Sequence, residues 1–192
     1  AKVEQITNGN KILKTRYIDD KTNHLLLRID IGDSETVQMK HITKTHSSLE
    51  DYDAVVISDY CKGLVSEDDI LSICSMHQNV FIDTKKRINE CFSEARLLKI
   101  NDREYDNSVD YFQRNQELED KTIVTMGSKG CRLGERVFPV SEVEVKDQAG
   151  AGDTFLAGLV FKFVETNDME KSIVFANECA SEVVSKRGVV SV

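Results

Sequence analysis

The sequence predicts an α/β protein, a mainly parallel sheet with helices on both faces in three layers, preceded by a β hairpin. Three observations carry this. From Asp53 onward, short apolar runs alternate with stretches of helical periodicity, the pattern of βαβ units on a parallel sheet. The runs at 54–58, 80–83 and 97–100 are apolar at most positions, and 122–125 is apolar at its centre, as expected of strands in a parallel sheet. The chain then finishes on two long apolar-rich stretches without a proline, which read as packed helices.

Taken in order, 14–18 and 25–29 form the hairpin around the polar turn 19–23. A composition shift over 32–53 separates it from the rest, so residues 1–32 are read as a partial lid and 33–192 as the α/β core. A helix is expected over 66–77, a polar helical stretch near 110–118, and a small antiparallel meander at 131–133, 136–138 and 143–145. Pro139, the sole proline, belongs at an edge or turn of that meander. The helix at 152–165 is apolar almost all round, and the helix at 169–186 repeats Met169, Ile173, Ala176, Ala180 and Val183 along one face.

A net charge of −8 over 192 residues gives no footprint for a polyanion, so nucleic-acid binding is disfavoured. No apolar run approaches the roughly 20 residues that span a bilayer, and no membrane partner is expected. The five cysteines are scattered without a Cys-x-x-Cys pair, which argues against zinc or a disulfide framework and for a reducing, cytoplasmic setting. His24, His41, His46 and His77 show no metal-ligand spacing and read as surface or loop residues.

The chemistry is concentrated in Asp147-Gln148-Ala149-Gly150-Ala151-Gly152-Asp153. Gly150, Ala151 and Gly152 open the first long helix, where bare N–H groups and the helix dipole favour an anion. Asp153 follows in the first turn, beside the place such an anion would lie. A carboxylate there can orient an alcohol and accept its proton. The competing reading is a helix-capping turn with Asp153 complementing the dipole. No lysine or hydroxyl follows at phosphate-loop spacing, which sets aside a P-loop NTPase.

The extended run from Asp147 through Phe155, Ala157 and Gly158 resembles the C-terminal signature of the ribokinase-like, phosphofructokinase B family carbohydrate kinases. Gln148 and Ala149 depart from its commonest form. Three further segments follow the family's order. Asn101-Asp102-Arg103-Glu104 resembles the Asn-x-x-Glu motif, which implies that Asn101 and Glu104 organise Mg²⁺, its waters and phosphate. Thr125-Met126-Gly127-Ser128-Lys129-Gly130 resembles the Thr-x-Gly-x-x-Gly turn, placing Thr125, Gly127 and Gly130 along the nucleotide. Phe175-Ala176-Asn177 resembles the last helix, with Asn177 lining the nucleotide pocket. The resemblance implies ATP and Mg²⁺ as cofactors, Asp153 as base, and the Gly150–Gly152 turn with Asp147 beside the phosphates.

Ser58-Asp59-Tyr60-Cys61-Lys62-Gly63 resembles most closely the D-glycero-β-D-manno-heptose 7-phosphate kinases, the kinase half of bifunctional ADP-heptose synthesis proteins. Lys14-Thr15-Arg16 and Leu27-Arg28-Ile29-Asp30 match lid strands of that family, and Asp83-Thr84-Lys85 replaces a more usual Asp-Pro-Lys. The implied substrate residues are Lys62, Asp59, Arg16, Arg28 and Lys85, the cations meeting a sugar phosphate. Each cation reads equally as a solvated charge. The resemblance begins about a third of the way into a typical family member, so the fold is expected to be N-terminally truncated. An uncovered sheet edge would then call for a second copy or a complementing N-terminal segment. Two function classes stay open: an ATP-dependent sugar or sugar-phosphate kinase, and a catalytically silent nucleotide- or partner-binding remnant of one.

Overall fold

Strand parity decides which side chains reach which face of this molecule. The computed structural model describes residues 2–7, 12–22, 24–32, 49–186 and 188. His41, His46, Arg187 and most of the 32–53 connection therefore lie outside the described residues. Six strands form the main sheet: β3 (Val55–Asp59), β4 (Val80–Thr84), β5 (Leu97–Asn101), β6 (Thr122–Thr125), β7 (Cys131–Leu133) and β8 (Arg136–Phe138). They lie in sequence order across the sheet, parallel from β3 to β6 and antiparallel from β6 to β8. Residues 141–145 form no strand, so the expected meander has two strands in place of three. Val143, Glu144 and Val145 alternate correctly, but the ladder stops at β8.

One face of the sheet buries Ile57, Val80, Ile82, Leu98, Ile100 and Val124 against helix α1 (Glu67–Met76) and the loops beside it. Ser66 caps α1: its hydroxyl accepts from Asp69 N–H while the Asp69 carboxylate accepts from Ser66 N–H, a reciprocal box that fixes the start predicted at 66. Three short helices follow β5: α2 (Asp102–Asp106), α3 (Val109–Phe112) and α4 (Gln116–Asp120). The last two replace the single stretch expected at 110–118, because Phe112 and Leu118 each turn into the core.

The other face buries Phe81, Leu97 and Ile123 beneath α5 (Ala151–Thr166) and α6 (Met169–Val184). The edge-on contact of Phe81 with Phe163, centroids 5.3 Å apart, locks α5 onto β4. Helix α5 is not buried all round, since Phe161 is 50% and Val164 44% exposed on its outer side. Gly158 lets the two helices approach closely, as a Cβ there would stand 3.2 Å from Cys179 Sγ. The hairpin forms a separate sheet of β1 (Leu13–Ile18) and β2 (Leu25–Ile31), antiparallel, with Arg16 directly opposite Arg28 and Lys14 opposite Asp30. Cys74, Cys91 and Cys131 are buried as small hydrophobes, whereas Cys61 is exposed. No helix among the described residues is long and apolar enough to cross a membrane.

Candidate active site

Parallel strands leave a crevice at their carboxyl ends, and five segments converge there. Gly150, in the left-handed region at φ 81°, ends the loop and caps α5, so Ala151, Gly152 and Asp153 form its first turn. Asp147 shapes the approach by accepting from Ala149 N–H at 2.9 Å. The Asp153 carboxylate is exposed and accepts the Tyr60 hydroxyl at 2.6 Å (Oδ1) and 2.8 Å (Oδ2). Burial, then the charges of Asp153, Asp83 and Glu104, push the Tyr60 phenol well above its ordinary range, so it stays a donor.

Beneath this turn lies a buried ion pair. Asp83 and Lys99 are register partners on β4 and β5, and share the face of Phe81 and Leu97. Lys99 Nζ donates to Asp83 Oδ2 at 2.7 Å, and a Cβ on Gly152 would stand only 2.8 Å from that ammonium. Glycine at 152 thus makes room for a cation directly under the Gly150–Gly152 turn. Burial raises the Asp83 pKa, Lys99 opposes the rise, and Asp153 adds to it. Sequence reasoning did not single out Lys99. Its signal was a lone charge at the carboxyl end of an otherwise apolar strand.

Parity also relocates Asp59. It shares the face of Ile57, opposite to that of Asp153, and is only 4% exposed. Cys61 N–H (2.9 Å), Thr84 hydroxyl (3.1 Å) and the Lys86 ammonium all donate to its carboxylate. Asp59 is an internal anchor of the loop that presents Tyr60, with Cys61 held at φ 55° and Gly63 at φ 87°. Lys85 lies on the site side, 4.4 Å from the Tyr60 ring centroid, and Lys14 of the hairpin lies 5.1 Å from it. Lys62 faces the hairpin: the Asp30 carboxyl is held below its usual range first by hydrogen bonds from Arg28, and further by Lys14 and Lys62. Arg16 and Arg28 are exposed on that charged hairpin face.

A second hollow of about 580 Å³ opens on Asn101, Asp102, Arg103, Asp106, Thr125 and Gly127. Asn101 and Glu104 form a capping box on α2, Asn101 Oδ1 accepting from Glu104 N–H and Glu104 Oε2 from Asn101 N–H, both 2.9 Å. Gly127 sits at φ 59° with open space around it. Gly130, at φ 85°, packs so tightly that a Cβ would stand 2.1 Å from Phe138 O. Asn177 lies elsewhere: it is 7% exposed and donates to Phe138 O at 3.2 Å, tying α6 to β8. The described residues contain no group of three His, Cys, Asp or Glu placed to hold a metal.

Comparison with known proteins gives the same outline. The bifunctional protein HldE of Campylobacter curvus (strain 525.92) is 30% identical over 185 residues, covering 85% of this chain and 40% of that relative. The chain thus spans about two fifths of the relative's length. A crystal structure of ribokinase from Thermotoga maritima superposes with a TM-score of 0.66 at 20% identity, over 92% of this chain and 64% of that one. Arabidopsis thaliana ribokinase complexed with ribose and ATP gives a TM-score of 0.56 at 21% identity, over 70% and 51%. The family described as pfkB family carbohydrate kinase matches residues 2–192, and the chain belongs to that family.

Proposed function

We propose that this chain carries the ATP-side and catalytic portion of a kinase that phosphorylates a hydroxyl of a sugar phosphate of the heptose 7-phosphate class. The observation that carries the reading is Asp153: an exposed carboxylate in the first turn of α5, already accepting a hydroxyl, with a buried ammonium under the adjoining glycine. In this reading Asp153 orients the acceptor hydroxyl and takes its proton. The N–H groups of the Gly150–Gly152 turn, backed by Lys99, hold the negative charge that builds on the transferred group.

Mg·ATP supplies the phosphoryl group and part of the charge neutralisation. The residues present suit it. Mg²⁺ keeps several waters and needs only one or two carboxylates besides phosphate oxygens. Glu104 offers its second oxygen, since Oε2 serves the capping box, and Asn101 stands beside it. Thr125 and Gly127 line the nucleotide's path with a hydroxyl and bare backbone, and Gly130 holds their turn against β8. Asp147 fixes the turn before the phosphates, and Asn177 supports the pocket from behind by anchoring β8. On the acceptor side Lys85, Lys62, Arg16 and Arg28 face the cleft between hairpin and core, where a phosphate would relieve the like-charge opposition of Arg16 and Arg28. Residues 1–32 then serve as the lid over the core.

A second reading, a silent remnant, draws on the outer edge of the sheet, where β3 has no neighbour beyond it among the described residues and Val56 is 47% exposed. A coupled assay with Mg·ATP and a panel of sugars and sugar phosphates separates the two. Turnover of a heptose 7-phosphate above that of unphosphorylated sugars supports the kinase. ATP binding without turnover on any acceptor supports the remnant.

A further inference from the structure

The hydroxyl that meets Asp153 belongs to the protein itself, and the ring carrying it lies between two lysines on different elements. Tyr60 Oη stands 2.6 and 2.8 Å from the two Asp153 oxygens, the range from which an acceptor alcohol would hand its proton to a general base. A phenol and an acceptor cannot share that place. Lys85, just beyond β4, and Lys14, on hairpin strand β1, hold the ring there from 4.4 and 5.1 Å. Lys85 is also one of the cations assigned to the acceptor side, and Lys14 shares a hairpin face with Arg16, another of them.

We propose that Tyr60 is a specificity-determining residue: it covers Asp153 until the anionic end of a phosphorylated acceptor draws Lys14 and Lys85 off its ring. The inference rests on the sugar-phosphate kinase reading above. An ammonium is held less strongly by an exposed ring face than by charge-assisted hydrogen bonds to phosphate oxygens, so a phosphate within reach of both lysines takes them. The ring then loses what pins it, and the acceptor hydroxyl replaces the phenol on Asp153. Binding energy from a phosphate remote from the reacting hydroxyl thereby goes into freeing the base, and discrimination appears in kcat. An unphosphorylated sugar has to displace the phenol unaided.

The test uses the full-length gene product, wild type and Tyr60→Phe, with heptose 7-phosphate and unphosphorylated heptose as acceptors. The ratio of the two kcat values should narrow about tenfold or more in Tyr60→Phe, through faster turnover of the unphosphorylated sugar. In parallel, NMR of 13Cζ-labelled tyrosine follows the ring without relying on activity. The Tyr60 signal, assigned by its loss in Tyr60→Phe and its displacement in Asp153→Asn, should move on adding heptose 7-phosphate and stay in place on adding heptose. An unchanged kcat ratio, or an equal loss on both acceptors, overturns the proposal. So does a Tyr60 signal indifferent to heptose 7-phosphate. If wild type turns over neither sugar, the kinase reading fails, and the NMR response alone decides the role of Tyr60.

Discussion

At the scale of single residues, the site rests on what stands next to a glycine. Gly152 was legible in the sequence as a residue at the turn into a helix, but its closest neighbour, Lys99, was not, because local sequence does not show which face of a strand lies beneath which helix. Gly152→Ala pushes only the far end of a side chain, so its stability change should stay within about 1 kcal/mol while kcat falls about a hundredfold. A urea melt beside steady-state kinetics checks both. The two glycines of the Thr125 turn should separate more sharply. Gly130→Ala meets backbone at 2.1 Å and should destabilise by about 3 kcal/mol, whereas Gly127→Ala faces open space and should cost about 1 kcal/mol for its left-handed backbone. Their urea midpoints at constant m-value give the comparison. Asp59 is the converse lesson: a family-like segment suggested a substrate contact, and strand parity placed it on the opposite face.

At the scale of elements, boundaries with a cap were legible and boundaries without one were not. Ser66 and Asp69 announce α1, and Asn101 and Glu104 announce α2, since the Asn-x-x-Glu spacing is also that of a capping box. The break between α3 and α4, and the missing strand at 143–145, depend on which side chains the core accepts, and short windows do not encode that. The Asp83–Lys99 pair links β4, β5 and the start of α5. Lys99→Met strands a buried carboxylate and should destabilise by about 3–5 kcal/mol, while Asp83→Asn with Lys99→Met should recover most of it. Asp83 also gives stability a pH dependence of definite sign. Its folded pKa lies above the unfolded one, so the native state binds more protons between the two values. Stability should fall as pH rises through that interval, and the double variant should lose this slope in acid urea melts.

At the scale of the whole molecule, the hairpin and the main sheet meet through charged contacts, Lys14 on the Tyr60 ring and Lys62 in the field of Asp30. The hairpin's other face leaves Leu13, Tyr17, Leu27, Ile29 and Ile31 exposed, and a two-stranded ribbon has little stability of its own. Amides of β1 and β2 should therefore exchange well before those of β4 and β5, whose side chains are buried on both faces, in native-state hydrogen exchange. The layered order, the parallel strands and the final helices were all legible from periodicity. The meeting of hairpin and core at Tyr60 was not, because it is made by contacts across more than forty residues of chain. Whether Asp153 is the base is measured by comparing Asp153→Asn with wild type, with turnover on heptose 7-phosphate and ATP affinity followed on the same samples. If Asp153 takes the proton, kcat should be lower by about 10²–10⁴-fold with ATP affinity kept within about threefold. A variant that retains wild-type turnover would contradict it.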